Sequence, residues 1–292
     1  MEVLAHLIPL LVATSLFLID LALGLAATRD DILFMGRHPI LLLRAFVAIN
    51  VVVPLAAMAA VYVLPLHPIA KAGVILMAVS PLPTMAPGKE IKVGGRRSYA
   101  YGLYVSMVLL SVVVTPATVA ILGAVYHKAI QIPAARIAET LGGSVLLPLV
   151  LGFALQRLFP KLASAAAPWI ARLSTVVLVV VAIPAVARLW PLMWRMTGDG
   201  VVAAIAAIIV VALLGGYLLA GSDRRDRVAL GVAAASRHPG VALMIASANG
   251  LDKSVGAILI HFVLVGAVIT TIYQAWVKRG GRAKGGPAAV SS

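Results

Sequence analysis

Residues 226–249 read DRVALGVAAASRHPGVALMIASAN. The segment is apolar on both sides of Ser236-Arg237-His238-Pro239-Gly240, and it is long enough for a membrane-crossing helix, which needs about 20 residues. A basic pair followed by Pro-Gly halfway along such a run breaks the pattern. Proline lacks an amide hydrogen and clashes with the preceding helical turn. Arginine at membrane depth is costly and must find partners. A second apolar run is broken at Ser80-Pro81-Leu82-Pro83-Thr84-Met85-Ala86-Pro87-Gly88-Lys89-Glu90, where Pro81, Pro83 and Pro87 fall within seven residues. Unwound backbone at membrane depth is tolerated only inside protein or beside a water-filled cavity. The two breaks therefore predict a membrane protein with two discontinuous helices.

Composition agrees. Apolar residues make up 62% of the 292 positions and charged residues 12%, with a mean hydropathy of +1.06. A soluble domain of this size needs a more polar outer shell. There is no cysteine, which excludes disulfides and thiolate metal sites. The net charge of +14 does not point to nucleic acid, because the basic residues sit in short clusters between apolar runs. No H-E-x-x-H pair or phosphate loop occurs, so neither a metal, a cofactor nor an enzyme activity is expected.

Nine spans are predicted, at 3–27, 38–64, from about 69 through the first break, 98–125, 135–158, 168–194, 199–220, 226–249 and 254–277. Together they form one transmembrane domain over 1–277, followed by a basic, disordered tail at 278–292. The first run has no positive n-region and is read as a retained helix rather than a signal peptide. With the N-terminus outside, the inner loops and tail collect fifteen basic residues (Arg29, Arg37, Lys89, Lys92, Arg96, Arg97, Arg157, Lys161, Arg224, Arg225, Arg227, Lys278, Arg279, Arg282, Lys284). The outer loops then hold five: Lys128, Arg136, Arg188, Arg195 and Lys253. That asymmetry places the C-terminus in the cytoplasm of a bacterial inner (plasma) membrane. Trp169, Trp190, Trp194 and Trp276 fall near span ends, as interfacial indoles do.

The broken spans, third and eighth, are five apart and so cross in opposite directions. Interrupted helices at corresponding places of an inverted pair point to a transporter site near the midplane. The break residues are Pro81, Pro83, Pro87, Gly88, Pro239 and Gly240. Thr84, Ser236, Arg237 and His238 are the substrate-binding candidates. Lys89 and Glu90 are a candidate gate or a partner for Arg237, or else a solvated end of the third span. Asn50 and His261 are secondary polar candidates, with packing hydrogen bonds as the competing reading. Asp20 and Glu139 are expected to be solvated near span ends, and Asp223 and Asp226 to belong to a solvated charge run.

The stretch from His38-Pro39 through Arg44-Ala45-Phe46-Val47 to Val53-Pro54-Leu55 carries a resemblance, continued by Gly73-Val74-Ile75-Leu76 leading into Ser80-Pro81. It resembles the bile acid:sodium symporter family, with Val228–Ala248 similar to that family's second crossing helix and Thr115-Pro116 fitting the helix after its first. The resemblance implies an all-α fold of ten helices in two inverted repeats, split into core and panel domains. This chain would lack the first helix, leaving a core at about 38–125 and 199–277 and a panel at about 3–27 and 135–194. The family's sodium-binding residues are not kept. Its Ser-Asn pair aligns with Ala86 and Pro87, the Ser and Thr of the next helix with Ala100 and Tyr104, and Glu-x-Gly-x-Gln-Asn with Ala233 through His238. The carboxylate thus becomes Ala233, the glutamine Arg237 and the asparagine His238.

A guanidinium replacing a carboxylate-assisted cation site would repel sodium by roughly 4 kcal/mol at 4 Å and an effective dielectric near 20. The expected function is secondary transport of a small organic anion or amphipath by alternating access, without sodium, and with His238 either open to proton coupling or a structural histidine capping freed backbone carbonyls. Two readings compete: sodium-coupled uptake with relocated ligands, and a non-transporting membrane sensor or scaffold. The sequence sets no oligomeric state.

Overall fold

The computed structural model describes residues 2–125, 134–197, 200–252 and 254–284. Among them the chain is helical, with no strand. Twelve helical elements follow in order: α1 (Glu2–Ala26), α2 (Arg29–Arg37), α3 (Pro39–Val63), α4 (Pro68–Val79), α5 (Ala86–Lys92), α6 (Arg97–Val125), α7 (Ala135–Leu158), α8 (Pro160–Met196), α9 (Val201–Leu219), α10 (Arg224–Ala235), α11 (Pro239–Ala248) and α12 (Val255–Lys284). Local chemistry starts them where they start. Pro39, Pro68, Pro160 and Pro239 open α3, α4, α8 and α11, because proline at the first helical position gives up an amide that has no partner anyway. Thr28 and Asp31 form a reciprocal capping box at α2.

Among the described residues seven stretches are long and apolar enough to cross a membrane, one of them Arg224–Ser247 across the second break, or eight if Leu10–Ala26 and Arg29–Arg37, bent by 87° at Ala27-Thr28, are one span. The expected count of nine included a third span at the first break. Its apolar part, Pro68–Val79, has twelve residues and falls short of a span by itself. The sixth span begins earlier than expected, at Pro160, and α8 is 37 residues long because Pro168, Pro184 and Pro191 do not interrupt it. The predicted disordered tail is also corrected in part. α12 continues to Lys284, and the residues beyond lie outside those described.

The helices sort by contact. α1 packs along α7 and α8, while α9 packs on α3, α10 and α12, and α4 packs on α3, α11 and α12. Enclosure differs most between the helix pair at the second break and α8. In Arg224–Ser247, 78% of the window is buried, against 11% of Pro160–Pro184. Between apolar helices in lipid, close backbone approach replaces the hydrophobic drive. A Cβ built on Gly24 would stand 2.2 Å from the Leu149 carbonyl oxygen, and one on Gly152 would stand 2.2 Å from that of Leu21. The contact of α1 with α7 is thus reciprocal and requires both glycines. Gly216 does the same for α9 against α10, where a Cβ would meet Leu230 O at 2.5 Å.

Gly152→Ala should therefore lower the melting temperature of the detergent-solubilised protein, with an overpacking cost of about 1–3 kcal/mol. Gly88→Ala should not, since a Cβ there meets nothing within 4 Å. Thermal unfolding of the two variants side by side checks the contrast.

Candidate functional site at the meeting of the two breaks

The first break is narrower than the proline count suggested. Helix α4 ends at Val79, and Ser80 caps it by donating its hydroxyl to Met77 O at 2.8 Å. Residues 80–85 are non-helical, and α5 then starts at Ala86. Pro87 and Gly88 accordingly belong to the first turn of α5, where proline is tolerated, and not to the break. The second break is likewise Ser236-Arg237-His238 alone. Pro239 and Gly240 form the first turn of α11.

The two breaks touch. The His238 amide donates to Pro81 O and to Ser80 Oγ, each at 3.1 Å. Arg237 Nη1 donates to Ser80 O at 3.2 Å and Nη2 to Ile49 O at 2.7 Å. The second acceptor has a local cause. Residues Ala48–Val52 of α3 wind as a π-turn, followed by Val53-Pro54. In a π-turn the residue five positions on would bond Ile49 O, and that residue is Pro54, which has no amide hydrogen. Arg237 supplies the missing donor. The same order, π-turn then Leu147-Pro148, recurs in α7.

Arg237 is 5% exposed, its Nε has no partner, and its bonds run to neutral carbonyls. The Ser80 carbonyl closes α4, a C-terminal end that attracts cations, whereas the Ile49 carbonyl lies within α3 at the π-turn. His238 faces the other way, as the N-cap of α11, accepting from the Val241 amide at Nδ1 over 3.3 Å. A proton on Nδ1 would remove that acceptor. Ser236 donates within its own helix to Val232 O, and Thr84 is buried in the first break.

The remaining expectations divide. Glu90 does not pair with Arg237, nor is it a solvated span end. It is 0% exposed and neither carboxyl oxygen has a partner, whereas neighbouring Lys89 is exposed. Asp226 is 1% exposed rather than part of a solvated run, because Arg96 reaches down to it with Nε (2.9 Å) and Nη2 and also lies 3.7 Å from Asp223. That bond ties the start of α6 to the start of α10. Asp20 is also fully buried instead of solvated, accepting from the Tyr104 hydroxyl. Asn50 donates to Met107 Sδ at 3.6 Å, and His261 Nε2 shares a hydrogen bond with Thr197 Oγ1 at 3.2 Å. Beyond α11 an open cleft of about 390 Å³ is bordered by Leu243, Ser247, Leu251 and Asp252. The Ser254 amide there holds the Asp252 carboxyl below its usual range. Among the described residues no His, Asp and Glu side chains gather as a metal site would require.

Sequence reasoning did not find the Ile49 carbonyl, the Arg96–Asp226 pair or the Asp20–Tyr104 contact. Pro54 was the available sign of the first. The other two depend on which helices become neighbours.

Comparison with known proteins adds one match. A model of the Sodium Bile acid symporter family fits residues 13–189, more than half of the chain, taking in Asp20 and the first break and ending before the second. No curated protein matches the chain.

The Arg96–Asp226 bond is two-pronged and half enclosed, which favours a real contribution over a surface pair's near-zero one. A double-mutant cycle with Arg96→Gln and Asp226→Asn should give a coupling of about 1–2 kcal/mol in thermal or denaturant unfolding.

Proposed function

This chain belongs to the Sodium Bile acid symporter family, and from that premise we propose that it is a secondary transporter of a small organic anion or amphipath. On this reading the chain crosses the membrane nine times, each broken pair (α4–α5 and α10–α11) counting as one span. The group α1, α7 and α8 rocks against the group containing both breaks. The N-terminus lies outside and the C-terminus in the cytoplasm of a bacterial inner membrane.

The observation that carries the proposal is Arg237, a buried guanidinium bonded to the carbonyls of Ser80 and Ile49 without a carboxylate partner. Oxygen ligands from broken helices are what a bound cation would take in such a fold. Here a side chain takes them. The same charge, left without a counter-charge, favours an anionic group brought into the crossing. On this reading Thr84 and Ser236, which lie within the two breaks, line that place, and His238 caps the half-helix that follows. Sodium is then neither needed nor welcome, and the positions that would ligate it hold Ala86, Pro87, Ala100, Tyr104 and Ala233.

Two measurements test this. Sodium against potassium chloride should leave the melting temperature of the purified protein unchanged, and proteoliposome uptake of a bile salt or small carboxylate should not depend on a sodium gradient. Sodium stabilisation would overturn the substituted-cation reading, and ligand binding with no flux would favour a sensor. Arg237→Lys should lose most of the stabilisation that Arg237 gives, because one ammonium on a flexible stem does not reproduce a planar two-pronged donor. About 1–3 kcal/mol is at stake for each carbonyl left without its donor.

A further inference from the structure

Helices α1 and α6 are stitched together at two heights. Arg97, at the start of α6, donates to the carbonyl of Ala26, the last residue of α1. Seven residues further along α6, the Tyr104 hydroxyl donates to Asp20, six residues back along α1. The two long side chains therefore bridge α1 and α6 in antiparallel order, while the close backbone neighbours of α1 are α7 and α8. The carboxyl of Asp20 lies roughly 9 Å from the helix end, at 1.5 Å per residue. It is 0% exposed, and its Oδ2 has no partner.

Packing needs none of this. Asparagine would accept the same tyrosine bond without the cost of an ionisable group in an apolar setting, and such groups inside a membrane domain default to function. Among the described residues no cation pairs with Asp20. From α6, Tyr104 is the titratable side chain that meets Asp20, while Arg97 is taken by Ala26 O and by Asp31 at 3.4 Å. From α7, the residues against this part of α1 are Leu149, Gly152 and Phe153. The charged residues of α7 and α8 form no ion pair with Asp20 among those described.

We propose that Asp20 is a reversible proton-binding site, and that Tyr104 is the residue that positions it at the seam between α1 and α6. The step is a protonation alone. The carboxylate takes a proton from water on one side of the membrane, becomes a neutral carboxylic acid, and returns the proton to water when the seam opens. No other bond forms or breaks. With the proton on, α1 parts from α6 without stranding a bare charge in an apolar gap; with it off, the tyrosine bond holds the seam shut. Proton binding stands independently of the transporter reading. Coupling it to a substrate rests on that reading.

The test is infrared difference spectroscopy of the full-length protein in lipid nanodiscs across a pH titration, with no substrate present. A protonated-carboxyl band should appear, shift with carbon-13-labelled aspartate in the unmutated protein, persist in Glu90→Gln and vanish in Asp20→Asn. Tyr104→Phe should move its disappearance upward by roughly one pH unit, because the ionised form loses its donor. The hydrogen–deuterium exchange protection factors of α1 and α6, corrected for the intrinsic pH dependence of amide exchange, should change with pH in the wild type and not in Asp20→Asn. A band insensitive to the aspartate label, or unchanged in Asp20→Asn, overturns the proton site. An unmoved midpoint in Tyr104→Phe overturns the positioning role. A titrating band in a protein that moves neither bile salt nor small carboxylate would count against the transporter reading and leave the proton site standing.

Discussion

Backbone that leaves the helix at membrane depth must find partners for its amides and carbonyls within the protein, since lipid offers none. The crossing is built around that requirement. Two half-helices end at Ser80 and Ser236, and a π-turn with proline after it leaves the Ile49 carbonyl without its donor. One side chain, Arg237, serves the carbonyls of both Ser80 and Ile49, and the neighbouring His238 amide closes the contact on Pro81 and Ser80 Oγ. Remove that cluster and three separate chain segments lose the polar contacts that join them.

Much of this was legible in the sequence because proline and apolar length act locally. Pro81 and Pro83 forbid helix wherever they occur in a long run, and the Arg237-His238 pair in the middle of another run marks itself. Length arguments served less well where helices are short: Pro68–Val79 is a real element yet too brief to register as a span. Prolines were over-read at Pro87 and Pro239, because a proline in a first turn starts a helix as readily as it ends one.

What the sequence hid is tertiary. Asp20 and Asp226 both sit near the ends of apolar runs, where solvent is the default expectation. Whether water reaches them depends on Tyr104 and Arg96, 84 and 130 residues away. Ile49 and Arg237 are further apart still, at 188 residues. No local pattern encodes such pairs, although a buried charge always implies that some partner, or a proton, has to exist. Glu90 remains the plainest case, with a carboxyl enclosed on all sides and nothing donating to it.

The bond from Arg237 to Ser80 and Ile49 has a consequence for what the molecule can sense. A diffusible ion at a crossing of this kind comes and goes with its concentration, so its occupancy reports the composition of the bath. A guanidinium on the chain has no concentration. It is present in every copy, at every ionic strength, and cannot be depleted. On the proposed function, the crossing is then deaf to the salt around it, and the signal to move would arrive by another messenger.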